Sequence, residues 1–218
     1  MRKRIISTIM ISIMSLSLVG CGNSSDSSSA EDSSATVEEG TAEEVDDRYS
    51  GTYINLDEMN IYLDGVKYTL GKSTMGEMLD NGVNLESNNM EGFDSTIEPG
   101  KMISGAYKIS TSKEGSVLCN FANDTDEEIP VTECKLHAID YKVRRSQDVD
   151  ENVIGFDIPF EITPEELIEN SGEPTESRDD SYSAELKYIK EEDNMKYIES
   201  VGISDGGIDY VRLTIIYN

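Results

Sequence analysis

The sequence predicts an α+β fold made of two tandem units, each a strand, a short helix and a three-stranded antiparallel meander, with the helices packed on sheet. Three observations carry this expectation. Thr74 with Glu77, and Thr163 with Glu166, place a threonine three residues before a glutamate at sites about ninety residues apart. At that spacing each side chain can bond the other's backbone N–H and start a helix. An alternating apolar segment precedes each site, Val66, Tyr68 and Leu70 in one case and Phe156, Ile158 and Phe160 in the other, and three extended segments follow each. Such self-similarity at a fixed offset is the mark of a repeated unit.

In the first unit, residues 53–63 and 66–70 read as strands joined at Asp64 and Gly65, a pair suited to the positive φ of a type I′ turn. A helix runs from Thr74 to about Asp80, and Asn81 and Gly82 supply its left-handed cap. Residues 86–100 are polar and irregular. Strands follow over 102–110, 116–121 and 131–143, the last two flanking an acidic turn at 124–128. In the third, Lys135, His137, Ile139 and Tyr141 share a face. Residues 144–151 form a linker.

The second unit repeats the order. Pro164 occupies the first helical position, where its missing N–H costs nothing, and Gly172 and Pro174 end the helix. Strands are expected over 184–191, 195–203 and 208–217, the last with Val211, Leu213, Ile215 and Tyr217 in phase.

Ahead of this region Arg2, Lys3 and Arg4 form a basic head, and residues 5–19 an apolar run diluted only by serine and threonine. That is the order of a secretory signal, and the run is short of the roughly 20 residues a spanning helix needs. It closes on Leu18, Val19, Gly20 and Cys21, which resembles the bacterial lipobox. The resemblance implies that Cys21 is lipidated on sulfur and becomes the mature N-terminus. Residues 22–47 hold seven serines, nine acids and no aromatic residue, too little apolar surface to offset the entropy of ordering, so they read as a disordered tether. Its coil span is roughly 25 to 30 Å. The expected divisions are therefore 1–20, signal peptide; 21–47, lipidated cysteine and tether; 48–145, first unit; and 146–218, second unit.

The formal charge of −26 argues against nucleic acid, whose binding needs clustered Lys and Arg to neutralise phosphates. An anionic bilayer would repel the chain as well, so attachment rests on the acyl groups at Cys21.

Local strings that imitate active sites do not carry chemistry. Gly202, Ile203, Ser204, Asp205 and Gly206 fit Gly-x-Ser-x-Gly, but a nucleophile elbow leads from strand to helix, whereas here a strand follows. Moreover the one histidine, His137, precedes Ser204. Gly71, Lys72, Ser73 and Thr74 resemble the end of a phosphate loop, yet Val66 stands where the first glycine belongs. One histidine leaves no basis for a zinc cluster, and the acidic runs at 124–128 and 191–193 lack the ligand spacing of a calcium loop. No catalytic, cofactor or metal residue is therefore assigned. Cys119 and Cys134 would face each other in a hairpin centred between Asp126 and Glu127. They are either a disulfide, at the spacing of a non-hydrogen-bonded pair, or two small buried apolar side chains.

The string Thr-Pro-Glu-Glu-Leu-Ile-Glu-Asn at 163–170, with its following Gly-Glu-Pro, makes the chain similar to the tandem α+β lipoproteins of Gram-positive anaerobes. More distantly, it resembles β-lactamase inhibitory protein and the small lipoproteins of outer-membrane assembly machinery. The resemblance implies binding rather than catalysis. The expectation is a cell-membrane lipoprotein, on the extracytoplasmic side, that binds a protein or wall component through a sheet face bearing Tyr188, Tyr197 and Tyr210. The competing expectation is a surface glycan hydrolase with two carboxyl groups, one of raised pKa. A solute-binding lipoprotein would need repeated βαβ crossovers, which the pattern does not show.

Overall fold

The structure, a computed structural model of the 218-residue chain, describes residues 47–87, 92–103, 105–110, 116–143, 150–180 and 182–217. The expected signal, Cys21, the tether up to residue 46 and most of the linker lie outside the described residues. In chain order the elements begin with β1 (Asn60–Leu63), β2 (Val66–Thr69), α1 (Met75–Asp80), β3 (Leu85–Ser87), β4 (Thr96–Ile97) and β5 (Tyr107–Ser110). Then come β6 (Ser116–Ala122), β7 (Ile129–Pro130), β8 (Lys135–Lys142), β9 (Ile154–Gly155) and α2 (Pro164–Ser171). The chain ends with β10 (Glu176–Asp179), β11 (Ser183–Glu192), β12 (Met195–Ser204) and β13 (Gly207–Tyr217).

Local signals form the elements they predict. Asp64 and Gly65 both take positive φ, 48° and 79°, and close the β1–β2 hairpin. Thr74 accepts the Glu77 N–H at 3.1 Å to start α1, and Gly82, at φ 84°, follows its end. Thr163 and Glu166 make the full reciprocal cap of α2, behind Pro164. Asp193 and Asn194, both at positive φ, turn β11 into β12.

Their assembly differs from the expected one. Among the described residues an antiparallel sheet of eight strands runs in the order β10-β11-β12-β13-β8-β6-β5-β3. It takes β3, β5, β6 and β8 from the first half and β10 to β13 from the second, joined where Val211 pairs with Tyr141 and Leu213 with Ile139. The second sheet, β2-β1-β9, also mixes the halves, because Tyr62 pairs with Gly155 and Leu63 with Ile154. The tandem α+β fold of two separate units is thus incorrect: the architecture is mostly β, and residues Glu44–Asn218 form one compact unit. The physical reason is that a six-residue and an eight-residue helix cannot cover a sheet this wide, so the halves bury each other's strands. No described helix is long and apolar enough to cross a membrane.

Other expected spans shrink for similar reasons. The strand expected at 53–63 survives only as β1, because residues 51–54 cross to the end of α2 instead. There the Tyr53 N–H donates to Asn170 Oδ1 (2.6 Å), the Ile54 N–H to Ser171 Oγ (3.1 Å) and Asn170 Nδ2 to the Gly51 carbonyl (3.2 Å). The alternating segment Phe156, Ile158 and Phe160 is buried but largely unpaired, and of the strand expected before α2 only β9 forms. A 3-10 turn, Val131–Glu133, takes the start of the strand expected at 131–143.

The core lies on one face of the large sheet. The register puts Leu85, Ile109, Val117, Tyr141, Val211, Val201 and Leu186 in one row across seven strands, all buried. The adjacent row reads Tyr107, Cys119, Ile139, Leu213, Glu199 and Tyr188, also buried. Phe156 and Phe160 pack on the first row at Tyr141, with ring centroids 5.8 and 5.9 Å away. At the point of entry Arg48 acts as a clasp. Its guanidinium donates to the Glu151 carbonyl (2.8 Å) and lies over the Tyr49 and Tyr62 rings at 5.3 and 5.4 Å.

Candidate functional site

Two adjoining grooves flank α2. The first, of about 790 Å³, runs between the start of α2, the start of β11 and the β12–β13 turn. The second, of about 390 Å³, lies beside Tyr53 and Pro159. Glu161 and Ile162 line both, and among the described residues no lysine or arginine lines either, while Glu165, Asp179, Asp180 and Asp205 face the first and Glu166 and Glu169 the second. Asp180 is held by the N–H groups of Tyr182 and Ser183, both at 2.9 Å, which keep its carboxyl below the ordinary range.

The hydrolase-like string falls at the rim of the first groove and forms a hairpin turn. Ser204 Oγ donates to Asp209 Oδ1 at 3.0 Å. His137 sits near the other end of β13, stacked on Tyr217 with ring centroids 5.0 Å apart. The ten steps from Gly207 to Tyr217 span about 33 Å at strand rise, so this serine and histidine cannot share a proton. Burial pushes the imidazole down to about 4, an effect that Asp124 only partly opposes. At Gly71 to Ser73 the backbone N–H groups are spent within the fold, on the Leu136 carbonyl (2.8 Å) and twice on the Thr69 carbonyl, and so form no phosphate cradle.

Three carboxylates of the acidic runs are paired with lysines. Asp124 pairs with Lys135 (2.7 Å), Glu191 with Lys196 (3.2 Å) and Glu192 with Lys190. No group of three or more metal-ligating side chains that could hold an ion occurs among the described residues.

Cys119 and Cys134 are both buried free thiols. A bulge after Asn120 and the 3-10 turn shift the hairpin, so Cys119 pairs with Ile139. Cys134 lies five residues before that partner, about 16 Å along the chain, far beyond disulfide reach. Burial raises the two thiols to about 12 and about 11. Alkylation is accordingly expected at these cysteines only after unfolding, and Tm is expected to be the same with and without reductant; a lower Tm on reduction would show a bond.

The three tyrosines expected on one binding face divide. Tyr188 is buried on the core face and donates to the Gly172 carbonyl (3.1 Å), and Tyr197 shares that face, half-buried. Tyr210 lies on the outer face, across from Gly202, with the Arg212 guanidinium 5.4 Å from its ring. A Cβ on Gly202 would come within 2.2 Å of that ring.

The feature not singled out from the sequence is Glu199. Its signal is present: in β12 it lies in phase with Tyr197 and Val201, an acid on the apolar phase of a strand. Only 4% exposed, it occupies the one acidic position in its row of the core. Burial first, and then the Asp157 charge, raise its carboxyl to about 8. Asp157 itself accepts from Asn60 Nδ2 (2.7 Å) and the Tyr62 hydroxyl (2.8 Å), and Asn60 Oδ1 accepts in turn from Thr69 (2.7 Å).

No family model matches the chain, and no curated protein matches it. Among solved structures a DUF4309 family protein, YjgB from Bacillus subtilis subsp. subtilis str. 168, matches at 17% identity. The match covers 78% of this chain and 90% of that one, with a TM-score of 0.32, a likeness too distant to bear on fold or function. The expected likenesses to β-lactamase inhibitory protein and to outer-membrane-assembly lipoproteins find no support in these comparisons.

Proposed function

We propose that the chain is a lipid-anchored, extracytoplasmic lipoprotein whose folded region binds another protein or a wall component and catalyses no reaction. The observation that carries it is the join at Gly20 and Cys21, where an apolar run under a basic head gives way to an acidic, serine-rich segment. Acyl chains on that thiol hold the protein at the bilayer, at about 0.8 kcal/mol per buried methylene, while its net charge keeps the folded region off an anionic surface. The grooves beside α2 are concave, reachable from solvent and lined by carboxylates and Tyr53 and Tyr182. They suit a partner that presents ammonium or guanidinium groups.

A second reading, a carboxylate-dependent glycan hydrolase, draws on one specific observation: a raised carboxyl at Glu199 beside a hydrogen-bonded carboxylate at Asp157. The burial of Glu199 counts against it, because a general acid must reach the glycosidic oxygen. Purified full-length protein incubated with wall glycan separates the two. The binding reading expects no release of reducing ends and retention of the protein on the wall or on an envelope partner. Reducing ends released by the parent, and lost in Glu199→Gln and Asp157→Asn, would establish the hydrolase instead.

A further inference from the structure

We propose that the outer face of the eight-stranded sheet is a self-association surface, on which a second copy of this chain docks face to face. Side chains alternate along a strand, so the residues between the buried rows point away from the core. Those with a described side chain are exposed or half-buried, apart from Ser200 and Gly202. On this face Lys108, Lys142, Arg178, Lys187, Lys196 and Arg212 stand against Glu86, Asp140, Glu176, Glu185 and Glu191. Lys135, past the bulge after Asn120, is spent on Asp124 (2.7 Å). The face thus holds 6 of the chain's 18 basic residues but 5 of its 44 acids, a balance of +1 in a chain of −26.

The charges sit in neighbouring pairs: Glu86 with Lys108 (3.6 Å), Asp140 with Arg212 (3.3 Å), Glu176 with Lys187 (2.8 Å) and Glu191 with Lys196 (3.2 Å). Between them runs an uncharged row, Asn120, Ala138, Thr214, Ile198 and Ile189. Where Ala138 and Thr214 leave room beside Leu118, the face has a hollow of about 250 Å³. Leu118 is 46% exposed at its edge, and Ile216, 41% exposed, extends the apolar surface along β13.

This arrangement favours a copy of itself over other occupants. A basic partner is drawn to the carboxylates of the α2 grooves, and an anionic surface needs a surplus of positive charge that +1 does not supply. Two chains of −26 repel when acidic surfaces meet and approach at least cost where each is balanced. There the alternating signs let each basic side chain of one copy meet an acid of the other about a two-fold axis. The area suffices as well. Eight strands at about 4.8 Å, with central strands about 24 Å or longer, offer on the order of 800 Å² per copy, the size of a standard interface. Stacked sheets interdigitate side chains, so an apolar side chain of one copy can fill the hollow of the other. The inference stands apart from lipidation and from what the grooves bind.

Sedimentation velocity of the full chain in a density-matched non-ionic detergent tests it. The parent is expected to reach twice the chain mass as its concentration rises through the micromolar range. Leu118→Glu, which sets a carboxylate at the hollow, and Lys187→Glu, which unbalances the face, should each weaken association by about tenfold or more. Val66→Glu, at a residue 40% exposed on the β1–β2 hairpin, should associate as the parent does. A parent monomeric at its highest soluble concentration, a dimer indifferent to both face variants, or one equally weakened by Val66→Glu would overturn the proposal. So would a monomeric parent that binds phosphatidylglycerol vesicles and loses them in Lys187→Glu, which would give the face to a bilayer instead.

Discussion

Glu199→Gln is expected to raise stability at pH 8 by on the order of 4 kcal/mol and to change it by about 1 kcal/mol or less at pH 5. Ionising Glu199 in the folded chain costs stability, since the buried carboxyl titrates near 8 against 4.5 when solvated. That stabilising proton is fully present below 4.5 and is lost as pH rises through 8. The amide mimics the protonated acid at every pH and removes the dependence. His137 bounds the opposite side: buried and neutral down to about 4 but protonated near 6.5 when unfolded, it costs stability as pH falls from 6.5 towards 4. The parent profile should therefore peak between these limits, and the variant should lose its alkaline decline alone. Chemical unfolding at a series of pH values checks this. A variant less stable than the parent at pH 8 would mean that the Glu199 carboxylate has a favourable partner.

The second large effect is expected at Gly207. Its φ is 91°, and a Cβ there would meet the Phe160 carbonyl oxygen at 2.2 Å and its carbon at 3.2 Å. Both are backbone atoms of Phe160, whose carbonyl accepts the Ile208 N–H of β13. Gly207→Ala combines a left-handed residue bearing a side chain with overpacking against main chain, for a loss of about 3 kcal/mol or more. Gly206→Ala, one residue earlier with no atom within 4 Å of its added Cβ, is the control and should stay within about 0.5 kcal/mol. Denaturant midpoints with an unchanged m-value separate the two. Equal losses would place the 156–160 segment away from β13.

These two residues also show where the sequence was informative. Turn chemistry was legible at Asp64 and Gly65 and at the two threonine caps. The strands at 184–191, 195–203 and 208–217 were legible because an alternating apolar phase is local, and each matches β11, β12 or β13 to within one residue at either end. Partner choice was not local. Nothing near Tyr141 points to Val211, nor near Tyr62 to Gly155, so two similar capped helices suggested a duplication that the pairing contradicts. The edge strand β10 was missed because Glu176 to Asp179 are all exposed, leaving no apolar phase to detect. The expected facing of Cys119 and Cys134 was displaced by one bulge after Asn120 and one 3-10 turn, which together moved the register. Glu199 was legible as an exception to its strand's pattern, but its significance needed Asp157, 42 residues earlier in the chain.

On the proposed reading, Cys21 carries lipid and holds the folded region outside the bilayer. Mass spectrometry of the N-terminal peptide, from protein taken from the membranes of its own cells, tests it most directly. A chain beginning at Cys21 with added acyl mass is the expected result; a chain retaining residues 1–20, or an unmodified Cys21 in the soluble fraction, would contradict it.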